Sequence, residues 1–264
     1  MSSFNPSFDG FSLSDDSNYI VSEVEDRTIP VRDIVMASIS RKPGSKLVSH
    51  EFLERQIKMA GFVLGDSASD LQDNIDALHT NMTRQESGTL IVRTGRQITA
   101  TVKSFNISDP HYSQTLVPFD IEFVAPQPFW LGTQQTASTT VASGTASQSI
   151  TLTVSGTTFA EPTITFTSDS GDVAGGNTTT SGIQIEYSAT GEQTTWSGGG
   201  TATLAYGDFV SFDYENQLIN EGSTSKDPDG VFMRWEPGST TFTVTFSGMT
   251  QGGTLDFVYR PRYL

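Results

Sequence analysis

The chain has 264 residues, with 30 Asp/Glu against 15 Lys/Arg for a net charge of −15, and no cysteine. That charge repels phosphate backbones and argues against a sequence-reading nucleic-acid binder. The missing cysteines remove disulfides, thiol chemistry and Cys-ligated zinc, and say nothing about compartment.

Seventeen Phe, seven Tyr and three Trp spread along the length argue against disorder. The first thirty residues carry no basic-then-apolar pattern and no apolar run is long enough to span a bilayer. The expectation is a chain that neither inserts in a membrane nor is secreted by a cleaved signal.

In chain order, residues 1–130 read as a β-rich α+β domain. Strand-like runs at 57–64, 90–93 and 98–102 flank one helix, predicted from Leu71, Ile75, Leu78 and Met82 at spacings of four, three and four. Ser69, with Gln72 three positions on, has the form of a capping box and sets the expected helix start. Residues 119–123 alternate cleanly, with the carboxylates of Asp120 and Glu122 on the outward face. One helix packed on a sheet is the expected architecture.

After Trp130 the composition shifts. Between 131 and 180, 22 of 50 residues are Ser or Thr and three are charged. Residues 131–147 are expected to be a Ser/Thr-rich linker or arm. Residues 148–264 alternate at period two over 150–154, 163–167, 183–187, 209–214, 242–246 and 255–259. Turns are expected at 170–172, 198–200, 227–230 and 252–253, and the pattern predicts an antiparallel β-sandwich.

Chemistry-bearing patterns are sparse. His50, His79 and His111 are isolated, with no i, i+4 pair, and read as surface or structural residues rather than metal ligands. No nucleophile elbow, dinucleotide fingerprint or phosphate loop occurs. The adjacent acids Asp15-Asp16 and Glu25-Asp26 read as solvated loop residues before they read as a glycosidase dyad. Asp227-Pro228-Asp229-Gly230 reads as a turn, lacking the further ligands of a calcium loop. Trp196 and Trp235 are candidate carbohydrate contacts, because sandwich domains can present aromatic platforms; a buried core Trp is the commoner role. No catalytic residue, cofactor site or metal site is expected, and the chain does not read as an enzyme.

Three stretches carry a family resemblance. The first is Arg-Gln-Ile-Lys-Met-Ala-Gly at 55–61, followed by Asp66, Ser67 and the helix stripe. The second is the alternating acidic strand from Pro118 that closes on Pro128-Phe129-Trp130. The third comprises 206–213, 216–222, Arg234-Trp-Glu-Pro-Gly238 and Tyr259-Arg-Pro-Arg-Tyr263. Their order and the chain length resemble the distal tail protein (Dit) family of long, non-contractile-tailed bacteriophages.

That resemblance implies an N-terminal ring-forming domain at 1–130 and a C-terminal galectin-like sandwich at 148–264. It implies a hexameric ring at the tail tip, assembled in the host cytoplasm, with the tail tube protein and a tail-associated lysin or fibre hub as partners. The tape measure protein is a further candidate partner, and DNA is expected to transit the channel without specific binding. The alternative left open is a lectin-like adhesion module working through Trp196 and Trp235.

Overall fold

A computed structural model describes residues 5–39, 43–83, 86–108, 115–168, 178–204, 207–247, 249 and 252–264. The chain divides into two compact units, Met1–Leu131 and Gly132–Tyr263. The expected turn at 170–172, together with His111 and Tyr206, lies outside the described residues.

The first unit contains β1 (Ser7–Phe8), β2 (Phe11–Ser12), β3 (Tyr19–Val24), β4 (Arg32–Ser38), β5 (Ser45–Phe52) and β6 (Arg55–Leu64). After these come α1 (Ala68–Met82), β7 (Gly88–Arg93), β8 (Arg96–Ile107), β9 (Leu116–Ala125) and β10 (Trp130–Leu131). One antiparallel sheet runs in the order β2-β1-β7-β8-β9-β6-β3, while among the described residues β4 and β5 pair only with each other.

The centre of the sheet follows from alternation. In β6, Ile57, Met59 and Val63 are buried, and in β9, Val117, Phe119, Ile121 and Phe123 are buried. The register sets Ile57 opposite Phe123 and Met59 opposite Ile121, so both inward rows stack on one face. Gly61 is required where this row meets Phe119, because a β-carbon would sit 2.7 Å from that ring and 2.4 Å from the Ile20 carbonyl oxygen.

The helix buries the expected stripe of Leu71, Ile75, Leu78 and Met82. Its cap differs from the expected frame. Ser67, not Ser69, is the N-cap: its Oγ accepts from the Asp70 N–H at 3.2 Å, and Asp70 Oδ2 accepts from the Asp66 N–H at 2.8 Å. Gln72 instead donates to Asp76 Oδ1, one turn along the exposed face. Two overlapping Ser-x-x-acceptor frames exist here, and the one whose serine is extended closes the helix.

The second unit contains β11 (Gln135–Val141), β12 (Ser147–Val154), β13 (Thr163–Ser168), β14 (Thr178–Tyr187), β15 (Glu192–Leu204) and β16 (Phe209–Asp213). It continues with β17 (Leu218–Glu221), β18 (Thr224–Lys226), β19 (Asp229–Gly230), β20 (Gly238–Ser247), β21 (Gly253–Tyr259) and β22 (Arg262–Tyr263). Two antiparallel sheets, β11-β21-β13-β16-β17-β18 and β12-β20-β14-β15-β19, form a sandwich. Phe166, Phe212 and Phe257 from one sheet meet Ile185, Trp196 and Phe242 from the other in a single core. The molecule is therefore mainly β with one helix, as the patterning predicts.

Two expectations are corrected. Residues 131–147 are not a linker, because Gln135–Val141 pairs with β21 from Gln135 opposite Tyr259 to Val141 opposite Gly253. An edge strand needs only a narrow apolar row, and here Ala137, Thr139 and Val141 supply it while the Ser and Thr between them face solvent. Residues 198–200 are not a turn between strands, because they lie within β15. Ser197 pairs with Gly182 and Ala202 with Thr180, so the three glycines fall in the register break between those pairs.

Candidate functional site

The sequence-derived candidates are dispersed by the fold. Trp196 and Trp235 are both 0% exposed. Trp235 lies 4.2 Å from the Phe242 ring and also packs on Phe257 and Tyr259. Neither indole can act as a platform for sugar, which corrects the candidate carbohydrate contacts: alternation along β15 turns Trp196 inward, and an isolated backbone bridge to Ala160 holds Trp235 in the core.

His79 sits on α1 with its ring edge-on to Phe105 at 5.0 Å, and His50 lies in β5. No group of three or more His, Asp or Glu among the described residues is arranged to hold a metal ion.

The paired acids serve structure. Asp15 Oδ1 accepts from the backbone N–H of Ser17, Asn18 and Tyr19 at 2.9, 2.7 and 3.0 Å. Burial works upward on its pKa, but those backbone donors outweigh it and hold the carboxyl below its ordinary value. Asp26 pairs with Arg93 at 2.6 Å. The turn expected at 227–230 is also corrected in part, because its last two residues, Asp229 and Gly230, form the short strand β19 against Thr195 and Thr194.

The exposed feature of the first unit is the β4–β5 hairpin, called the arm below. Every residue of β4 and every described side chain of β5 except half-buried Phe52 is exposed. Nine of the fourteen large hydrophobics exposed among the described residues fall between 29 and 53. Ile34, Val35, Met36, Ile39, Leu47 and Val48 are between 43% and 60% exposed. An apolar two-stranded ribbon with nothing on either face is marginal in water, and a patch of this kind marks an interaction site.

The root of the arm is built from motif residues. Arg55 is 2% exposed, and its Nε donates to the Pro128 carbonyl at 2.7 Å. Its Nη1 donates to the carbonyls of Asp26 and Thr28 at 3.1 and 3.0 Å. The guanidinium lies 5.6 Å from the Trp130 ring. Burial foremost lowers the Arg55 pKa, with nearby Asp26 opposing. Phe52 adds an edge contact to Phe129 at 5.5 Å, and the Arg32 guanidinium lies over the Phe52 ring at 4.5 Å. The first two family-bearing stretches thus meet here.

Residues of the third stretch also converge. Arg234 and Arg262 both reach Glu161, at 3.5 and 2.7 Å, and both lie over the Phe159 ring.

Beside the root, the outward face of β3, β6, β9 and β8 holds a groove of about 360 Å³. Glu23, Glu25, Asp120 and Glu122 line it together with Lys58. Lys103 donates to Glu122 at 2.8 Å, and this bond foremost lowers the Glu122 pKa despite slight desolvation.

Sequence reasoning assigned no element between 30 and 52. The signal was present: Ile34-Val35-Met36 and Leu47-Val48 flank Pro43-Gly44, a turn dipeptide between apolar runs.

No family model matches the sequence, and no curated protein is similar to it. The fold, however, is similar to solved structures. Against the crystal structure of Dit (gp 19.1) of phage SPP1, described as a paradigm of the hub adsorption apparatus in Gram-positive-infecting phages, the TM-score is 0.72 at 13% identity, over 100% of both chains. A chain of the phage P2 baseplate in its activated conformation matches at TM-score 0.45 and 6% identity, over 95% of this chain and 92% of that one. A fructofuranosidase from Schwanniomyces occidentalis matches at 0.25 and 6%, over 88% and 59%. From end to end, this chain has the fold of the SPP1 Dit protein.

Proposed function

We propose that this protein is a structural hub of a phage tail, a distal tail component that assembles into a hexameric ring at the tail tip. The ring joins the tail tube protein to the lysin or fibre hub, contacts the tape measure protein, and lets DNA pass. The observation that carries this reading is the likeness to SPP1 Dit across the full length of both chains.

Two physical features support it. The arm exposes an apolar ribbon that needs a partner, and a second copy of the chain offers one in a closed cyclic assembly. The charge of −15 leaves a channel built from this chain without affinity for DNA. A role in the virion rather than in catalysis follows from the same reading.

The test is light scattering on a sizing column. Six protomers of 28.5 kDa, about 170 kDa in all, are expected. A monomeric mass that persists with the tail tube protein added overturns the ring.

A further inference from the structure

We propose that the acidic groove on the outward face of β3, β6, β9 and β8 is the seat for the arm of a second copy of this chain. The inference rests on the self-assembly reading above and adds which surface receives the arm.

Charge is the first argument. The chain carries twice as many acids as bases, but residues 32–52 reverse the balance, with four Lys/Arg against two Asp/Glu. Lys46 projects from β5, exposed and without an acidic partner among the described residues. In the groove, Glu23, Glu25 and Asp120 make no ion pair within 4 Å among the described residues, and with Glu122 they outnumber Lys58, the one cation in the lining. A net-acidic protomer that repels its own copies gains most where a basic element of one meets an acidic recess of the other, and such pairing fixes register as well as attraction.

Shape and polarity are the second argument. The sheet register lays two rows side by side on the outward face. One is Glu23, Ala60, Asp120 and Asn106, and the next is Ile20, Phe62 and Pro118. An acidic row beside an apolar row complements a ribbon whose exposed side chains are Ile34, Val35, Met36, Leu47 and Val48 with Arg32 and Lys46 among them. The arm does not occupy the groove of its own chain, since its described side chains from 32 to 49 are all exposed.

The experiment uses the full chain and charge reversal. Lys46→Glu alone, and Glu23→Lys with Asp120→Lys, are each expected to raise the concentration at which half the protein assembles by at least about tenfold. The combined variant, with both sides reversed, is expected to recover most of that loss. All three positions are exposed and unpaired among the described residues, so melting temperature stays within a degree or two and folding is controlled for.

Because the chain has no cysteine, proximity is read separately. Mixed Lys46→Cys and Glu23→Cys proteins are expected to form a covalent heterodimer on mild oxidation, whereas Lys46→Cys with Ser149→Cys in the sandwich does not. Wild-type assembly that is indifferent to the reversals, with no heterodimer, overturns the seat and leaves the hub reading standing. A wild-type chain that stays monomeric even with the tail tube protein added removes both.

Discussion

At Gly230 a single hydrogen atom decides whether β19 can form. The residue has φ of +106°, and a β-carbon would lie 2.2 Å from the Gln193 carbonyl oxygen. Gly230→Ala is therefore expected to cost about 2 kcal/mol or more, read as a shift in urea midpoint at unchanged slope. Arg55 decides the arm root in a different way. Its guanidinium donates to three backbone carbonyls, that of buried Pro128 and those of half-buried Asp26 and exposed Thr28. Arg55→Ala is expected to cost about 3 kcal/mol, and Arg55→Lys to recover little because an ammonium lacks the planar fork. A loss of less than about 1 kcal/mol in Arg55→Ala would mean that water replaces the fork and that the root is not pinned there. Tyr19 supplies a pH signature. Its hydroxyl donates to the Asn74 carbonyl at 2.9 Å, and burial, helped by Asp15, pushes its pKa from 10 to about 12. The folded state then holds the phenolic proton more tightly than the unfolded chain. The stability this provides is complete below pH 10 and is lost as pH rises from 10 to about 12. Tyr19→Phe should flatten that alkaline decline in thermal melts, and an unchanged decline would place its origin elsewhere.

Elements were legible where one face is buried and obscure where none is. The α1 stripe and the β6 and β9 alternations announce themselves because each inward row is mostly large and apolar, with Met59 and Met82 filling places beside Leu, Ile, Val and Phe. β11 reads as a linker because an edge strand of a sandwich buries one side only, and small Ala137, Thr139 and Val141 suffice there. The arm left no periodic signal at all. Ile34, Val35 and Met36 are consecutive and exposed, so no single face alternates, and its apolar residues pack against no core of the described structure. Trp196 and Trp235 misled for the opposite reason, since a Trp beside glycines or before a Pro-Gly turn looks the same in sequence whether it points in or out. The arm makes its own prediction. Limited proteolysis of dilute, unassembled protein should cut first between 32 and 52, and the same bonds should be protected at concentrations where the protein assembles. Replacing 32–52 by a short Gly/Ser turn should leave the first unit folded, because β3 and β6 pair directly, and should abolish assembly. Assembly that survives the replacement would move the contacts to another face.

For the whole molecule, the division at 131/132 changes how its parts should be separated. A sandwich fragment beginning at 147, where the composition of the sequence suggests a boundary, omits β11. That omission uncovers the backbone edge of β21 from Gly253 to Tyr259 and removes Val141, which is 1% exposed, from the core. A fragment of 132–264 should therefore fold as a cooperative unit. A fragment of 147–264 should lose about 2 kcal/mol or more and associate non-specifically through the bare edge. The two fragments also divide the labour of assembly. The arm lies wholly in the first unit, whereas the exposed hydrophobics described in the sandwich, Phe209, Leu218 and Val231, are few and scattered in sequence. Residues 1–131 should thus assemble by themselves, and 132–264 should stay monomeric at the same concentration. Raising the salt should spare the apolar contacts of the arm and relieve the mutual repulsion of acidic protomers, while weakening only the pairs at the groove. If 132–264 proves to be the fragment that assembles, the arm is serving some other partner, and the ring must be built from the sandwich.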